Sequence, residues 1–96
     1  MSPNKKKKLN KLRKSLDIID KQLLKIIKKR TKVIDNVIKI KEFKNQIVDK
    51  KRIKVILNKI KKLSIKNKVD PKVTNRIWKN MIWSYINYEK RNFKKK

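Results

Sequence analysis

The sequence contains no cysteine, no histidine and no glycine. Without cysteine, a small fold has no disulfide to stabilise it and no thiol nucleophile. Without histidine, imidazole acid–base catalysis and His/Cys metal sites are excluded. Without glycine, the glycine-rich loops that bind phosphate cannot form. An enzyme of this composition would therefore act by binding and polarising its substrate.

Acidic residues are also scarce, since seven Asp and Glu stand against 33 Lys and Arg, for a formal net charge of +26. So few carboxylates leave little scope for a metal site, and we expect no metal and no cofactor. The positive field would attract anions, and one hypothesis is a basic nucleic-acid-binding protein. Lysine, isoleucine and asparagine are abundant throughout, however, as in proteins from AT-rich genomes. We favour coding bias and expect only non-specific binding of nucleic acid.

Apolar residues between positions 9 and 41 recur at alternating spacings of three and four, which predicts one long helix with a heptad-like seam. About thirty residues at 1.5 Å each make a rod of roughly 45–50 Å. A chain of 96 residues cannot bury the seam of such a rod by itself, so the pattern indicates a partner rod. The seam comprises Leu9, Leu12, Leu16, Ile19, Leu23, Ile26, Val33, Val37 and Ile40, with Arg30 in the position between Ile26 and Val33.

Two shorter helices follow a loop at residues 42–48. The second helix begins at Asp49, and Asp70-Pro71 is typical of the start of a third, which runs to about Phe93. We predict an all-α fold with three helices in a single domain, 1–96, that has a basic N-terminal extension (1–8) and a basic tail (93–96). The predicted inner face of the third helix comprises Val73, Ile77, Trp78, Met81, Ile82, Tyr85 and Glu89.

No apolar run is long enough to span a bilayer, and no signal-peptide-like apolar segment follows the basic start. We therefore expect a cytoplasmic protein without a membrane partner.

Three charged residues interrupt the apolar stripes, namely Arg30, Lys41 and Glu89. Each needs a counter-ion or a ligand, because burying an unpaired charge is costly. Arg30 could form a buried ion pair or fix the register of paired helices, or it could bind an anionic ligand through its planar guanidinium. Arg13 lies about 25 Å from Arg30 along the same helix, so only an antiparallel partner could bring both to one small ligand. Asp49 could simply cap a helix.

The spacing of these residues resembles that of the all-helical (type II) chorismate mutases. The stretch "LRKSLDIIDKQLLKIIKKR" (12–30) is similar to the family's first helix, and Lys41 follows Arg30 at the family's separation. "IVDKKR" (47–52) and "VDPKVTNRIWKNMI" (69–82) resemble the family's second-helix start and third-helix entry. The resemblance covers about residues 9–92.

The resemblance implies an intertwined helical homodimer that converts chorismate to prephenate by a Claisen rearrangement, without a cofactor, in aromatic amino acid biosynthesis. Arg13 from the partner and Arg30 would bind the two carboxylates of the substrate. Lys41 would donate a hydrogen bond to the ether oxygen. Asp49 would bind the ring hydroxyl, and Arg52 would support that wall of the site.

Three positions depart from the mutase pattern. Glu89 stands where many bacterial members have Gln; because only a protonated carboxyl can donate to the ether oxygen, we expect higher activity at acidic pH. Ile53 stands where the mutases usually have Glu, and Tyr85 stands where they have a small residue. Both side chains would face the substrate. At these two positions the sequence is more similar to the isochorismate-pyruvate lyases, which make salicylate. The loop before Asp49 lacks the usual Pro. We favour the mutase, with the lyase and an inactive relative as alternatives.

Overall fold

The computed structural model describes residues 1–94. Three α-helices follow one another: α1 (Pro3–Ile40), α2 (Lys50–Lys66) and α3 (Pro71–Asn92), with a short 3-10 helix, Lys44–Gln46, between α1 and α2. No β-strand is present in residues 1–94, and no helix in this range is long and apolar enough to cross a membrane. The predicted all-α class with one long and two shorter helices is confirmed.

Helix α1 begins six residues earlier than predicted, inside the segment assigned to a basic extension. The backbone N–H of Lys5 donates to Ser2 Oγ at 3.3 Å, and that of Lys6 donates to the Ser2 carbonyl at 2.9 Å. Ser2 therefore acts as the N-cap, and neither Gly nor a further Pro interrupts the lysines after it. The helix ends at Ile40, and the N–H of Lys41 still donates to the Val37 carbonyl at 3.2 Å.

The chain divides into two compact units, Met1–Val33 and Ile34–Lys96. The first unit consists mainly of α1, and most of the large apolar side chains on this helix are exposed within the single chain. Leu9 is partly buried, and the exposed fractions of the others up to Val33 range from 36% for Ile27 to 65% for Leu24. The seam that the sequence predicts is therefore present on a helix but is not buried by this unit.

The second unit contains the hydrophobic core, which is small. Its buried residues are Ile47, Ile82 and Ile86, and α2 packs against α3 around them. Partly buried side chains complete the cluster: Val48, Ile53, Ile56, Leu57 and Phe93. Since no large side chain among residues 1–94 is fully buried, this core is thin for a chain of 96 residues.

The buried stripe of α3 differs in part from the predicted inner face. Val73 and Ile77 were expected inside but are each 52% exposed, whereas Ile86 is buried. The buried stripe follows the face that meets α2 and the loop residue Ile47 and excludes the first turns of α3. Phe93 was assigned to the tail but packs on the core; Lys95 and Lys96 lie outside the described residues.

Both predicted helix starts are confirmed. Asp49 is the N-cap of α2, and its carboxylate accepts from the backbone N–H of Arg52 at 3.0 Å. Asp70 is the N-cap of α3, where it accepts from the N–H of Lys72 at 2.9 Å, and Pro71 occupies the first turn. These bonds satisfy backbone donors that have no partner within the helix.

The turn from α2 to α3 contains a residue in the left-handed region, Lys68, with φ 56°. The N–H of Lys68 donates to the Ile65 carbonyl, and that of Val69 donates to the Ser64 carbonyl, which is the Schellman arrangement. Glycine usually occupies this position, but the chain has none. The buried Ser64 hydroxyl, 2.7 Å from Thr74 Oγ1, joins the two helices just beyond the turn.

Candidate functional site

An ion pair joins the end of α1 to the C-terminal half of α3. Lys41 Nζ lies 3.1 Å from Glu89 Oε1. Glu89 is only 6% exposed, although it is charged, and Lys41 is partly buried. Of the three charges that interrupt apolar stripes, two therefore meet each other. A Lys–Glu contact with little exposure to water is electrostatically stronger than a surface pair.

The position of Glu89 follows from the helical repeat of α3. Ile82 and Ile86 precede it by seven and three residues, so all three lie on the buried face. Lys41 comes directly after the last residue of α1, where the chain turns toward the 3-10 helix. The buried face of α3 and the end of α1 thus place Glu89 and Lys41 together at the edge of the core.

A second polar contact joins α1 to α3 and was not predicted from the sequence. The Tyr88 hydroxyl donates to Asp35 Oδ1 at 2.6 Å, which joins α3 to α1 one residue before Glu89. This hydrogen bond, followed by burial and the negative charge of Asp35, raises the pKa of Tyr88 above its ordinary value. The partners are 53 residues apart, so no local sequence pattern could have paired them.

The ring of Tyr88 also packs on that of Tyr85. The two rings meet edge to face, with centroids 6.2 Å apart and an interplanar angle of 86°. Tyr85 is partly buried. Tyr88 thus contacts one predicted site residue, Tyr85, and directly precedes another, Glu89, in the chain.

Asp49, Arg52 and Ile53 lie around the start of α2. The Asp49 carboxylate is occupied by the backbone N–H of Arg52, so the capping role that was one interpretation of this residue is confirmed. An open depression of about 560 Å³ borders Asp49 and is lined also by Gln46, Val48, Lys50 and Lys51. Ile53 packs against the hydrophobic core, and its predicted contact with a substrate stays a prediction.

Arg13 and Arg30 lie in the Met1–Val33 unit, both on α1. Arg13 is exposed, and Arg30 is partly buried, in keeping with its position in the apolar seam. The other predicted site residues, from Lys41 to Glu89, lie in the Ile34–Lys96 unit. Within residues 1–94, no group of three or more acidic side chains is arranged to hold a metal ion.

The site in the second unit offers an ammonium, a buried carboxyl group and exposed cations around α2. The cations can bind an anion and donate hydrogen bonds to its oxygens, whereas the carboxyl group can donate one only when it is protonated; none of these groups is a nucleophile of the thiol or imidazole type. Residues 12–90 match the family model described as chorismate mutase type II. The chain belongs to this family. The matched region includes every predicted site residue, from Arg13 to Glu89. Neither the comparison with curated proteins nor that with solved structures finds a match.

Proposed function

We propose that this member of the chorismate mutase type II family is itself a chorismate mutase, which converts chorismate to prephenate in the cytoplasm for aromatic amino acid synthesis. The observation that supports this most strongly is the Lys41–Glu89 contact at 3.1 Å. It places a cation beside a second hydrogen-bonding group that becomes a donor on protonation. A Claisen rearrangement breaks the ether C–O bond as a new C–C bond forms, so negative charge develops at one oxygen.

Lys41 stabilises that developing charge by donating a hydrogen bond to the ether oxygen. Preorganised donors of this kind reduce the barrier because they need no reorientation during the reaction. Glu89 provides the second donor when its carboxyl group is protonated. The substrate enters by displacing the direct contact between Lys41 and Glu89, and both side chains then face the same oxygen.

The two carboxylates of the substrate bind to Arg30 and to Arg13 of a partner chain in an intertwined homodimer. Arginine suits this role because its planar fork makes two parallel hydrogen bonds to a carboxylate. The exposed apolar side chains of the Met1–Val33 unit support the dimer, since Leu12, Leu16 and Leu23 are each at least half exposed. Asp49 binds the ring hydroxyl beside its capping bond, and Arg52 supports this wall.

The dimer and the contribution of Arg13 from the partner are tested by mixing two inactive variants. Arg13→Ala and Arg30→Ala chains are unfolded together and refolded at equal concentration. A mixed dimer has one site with both arginines and one with neither, so about a quarter of wild-type turnover returns if the chains pair at random. Activity that stays at the level of the separate variants contradicts the exchange of Arg13 between chains.

A second candidate function is isochorismate-pyruvate lyase, favoured by Ile53 and Tyr85. Purified protein is incubated with chorismate and, separately, with isochorismate, and the products are identified. Prephenate from chorismate supports the mutase. Salicylate and pyruvate from isochorismate, with little prephenate from chorismate, support the lyase. Neither product from a folded dimer supports a non-catalytic role, such as that of an inactive relative or a basic nucleic-acid-binding protein.

Nucleic acid binds to this protein only non-specifically, through its charge of +26. Such binding depends on phosphate neutralisation, so its affinity falls steeply with salt and is similar for unrelated sequences. Arg30→Lys preserves that affinity because the charge is unchanged. A marked preference for one sequence would favour the nucleic-acid-binding alternative.

A further inference from the structure

We infer that Asp35 and Tyr88 form a positioning pair that fixes Glu89 and Tyr85 of α3 relative to Lys41; this rests on the proposed function. The pair is defined by the 2.6 Å hydrogen bond from Tyr88 Oη to Asp35 Oδ1. Neither residue takes part in the chemistry of the mutase as proposed above. Tyr88 directly precedes Glu89 in the chain, so the pair acts on the reaction by fixing the side chains that contact the substrate.

The positions of these residues in the chain support this role. Asp35 lies on α1 six residues before Lys41, and Tyr88 directly precedes Glu89 on α3. Two polar contacts therefore connect this part of the chain to α3, one from Asp35 on α1 to Tyr88 and the other from Lys41, just after α1, to Glu89. When a substrate separates Lys41 from Glu89, the Asp35–Tyr88 hydrogen bond still joins α3 to the last turns of α1.

The ring contact between Tyr88 and Tyr85 supports the same role. An edge-to-face pair restricts the rotation of both rings, and the hydrogen bond to Asp35 fixes the outer end of the Tyr88 side chain. Tyr88 is thus held by its hydroxyl, by its ring and by the helix. Positioning of this kind matters because a displacement of about 1 Å at a reacting group can reduce a rate by about 100-fold.

The electrostatic surroundings of Tyr88 preserve its hydrogen bond to Asp35. The groups that act on the Tyr88 hydroxyl are Asp35 from α1 and Tyr85 and Arg91 from α3. Asp35 dominates and raises the pKa of Tyr88, while Arg91 opposes it. The hydroxyl thus stays protonated, and remains a hydrogen-bond donor, at neutral and acidic pH.

The hydrogen bond can be tested without a substrate. The chain has two tyrosines, Tyr85 and Tyr88, so the absorbance of tyrosinate in wild type minus that in Tyr88→Phe reports Tyr88. The midpoint of this difference should lie above about pH 10. In Asp35→Asn, where the acceptor is kept but its charge is lost, the midpoint should move down. A midpoint that is the same in both proteins contradicts the contact.

The positioning role is tested by kinetics on the dimeric enzyme. Tyr88→Phe keeps the ring contact and removes only the hydroxyl, so kcat for prephenate formation should fall about tenfold with a smaller change in KM. Asp35→Asn should restore most of the rate lost in Asp35→Ala. Ser64→Ala is the matched control, because it removes another hydroxyl bond between helices, the 2.7 Å contact with Thr74. It should reduce stability but leave kcat unchanged.

Two results would overturn the inference. One is a wild-type kcat in Tyr88→Phe, and the other is an equal loss in Ser64→Ala, which would indicate a general effect of stability. If wild-type protein has no turnover with either substrate, the proposed function has failed, and a crystal structure of Tyr88→Phe decides the positioning role. The distance between Lys41 Nζ and Glu89 Oε1 is now 3.1 Å. An increase of about 1 Å or more in Tyr88→Phe supports the positioning role, and an unchanged distance contradicts it.

Discussion

Lys41 and Glu89, 48 residues apart in the chain, meet at 3.1 Å at the edge of the core. This contact gives the buried Glu89 carboxyl group a defined partner. A carboxyl group donates a hydrogen bond only when it is protonated, and it becomes protonated as the pH falls.

We therefore predict that kcat/KM for prephenate formation rises in wild type as the pH falls from about 8 to about 4, and that Glu89→Gln loses this dependence. The amide of glutamine donates at every pH in that range. The rate is measured by the disappearance of chorismate across the pH series. Glu42→Gln, which changes an exposed carboxylate, should behave as wild type. The same acidic rise in Glu89→Gln would refute the assigned role.

Substitution of the two N-cap residues, Asp49 and Asp70, distinguishes an effect on stability from an effect on substrate binding. Asp49→Ala and Asp70→Ala should each lower the free energy of unfolding by about 1 kcal/mol, because each removes the acceptor for a backbone N–H. Only Asp49→Ala should also raise KM for chorismate, because Asp49 is proposed to bind the ring hydroxyl of the substrate. Asp70, at the start of α3, has no proposed contact with the substrate. Urea unfolding and steady-state kinetics give the two quantities. An equal effect of both variants on KM would argue against contact of Asp49 with the substrate.

The left-handed residue Lys68 offers a stabilising substitution. Lys68→Gly should raise the free energy of unfolding by about 1 kcal/mol, because glycine adopts φ near 56° without the steric cost of a Cβ atom. Lys66→Gly removes the same charge at the last residue of α2 and should instead destabilise the protein by about 1 kcal/mol. Denaturation by urea measures both, and a loss of stability in Lys68→Gly would contradict the turn geometry.

The Tyr88–Asp35 bond predicts a loss of stability in alkaline solution. Because the folded-state pKa of Tyr88 is raised, its contribution is fully present below the unfolded value of about 10 and is lost as the pH rises through the folded value. The difference in unfolding free energy between wild type and Tyr88→Phe should therefore shrink above about pH 10. Taking the difference removes the effect of the many lysines, which titrate in both proteins. A difference that is constant with pH would contradict the shift.

Local features of the fold could be predicted from the sequence. Asp49 and Asp70-Pro71 predict helix starts because an N-cap side chain bonds a backbone N–H within the next three residues. The spacing of the apolar residues predicts the helices themselves. The start of α1 was placed too late because lysine runs contain no apolar period, although each lysine is compatible with a helix.

Contacts between distant helices could not be predicted in the same way. The sequence showed that Lys41 and Glu89 each needed a partner, but among so many lysines it did not indicate which one Glu89 would meet. Asp35 and Tyr88 could not be predicted as partners, since neither interrupts an apolar stripe of the sequence. The proposed roles of Arg13 and Arg30 come from the resemblance to a family, because periodicity alone left Arg30 between an ion pair, a register device and a ligand site.

The central claim is that a guanidinium at position 30 holds a carboxylate of chorismate during the rearrangement. The most direct test compares prephenate formation by wild type, Arg30→Lys and Arg76→Lys, where Arg76 is an exposed residue of α3. We predict that Arg76→Lys has the wild-type rate and that Arg30→Lys loses at least about tenfold, because an ammonium cannot make two parallel hydrogen bonds. A wild-type protein that forms no prephenate, or an Arg30→Lys variant as fast as Arg76→Lys, would contradict the account.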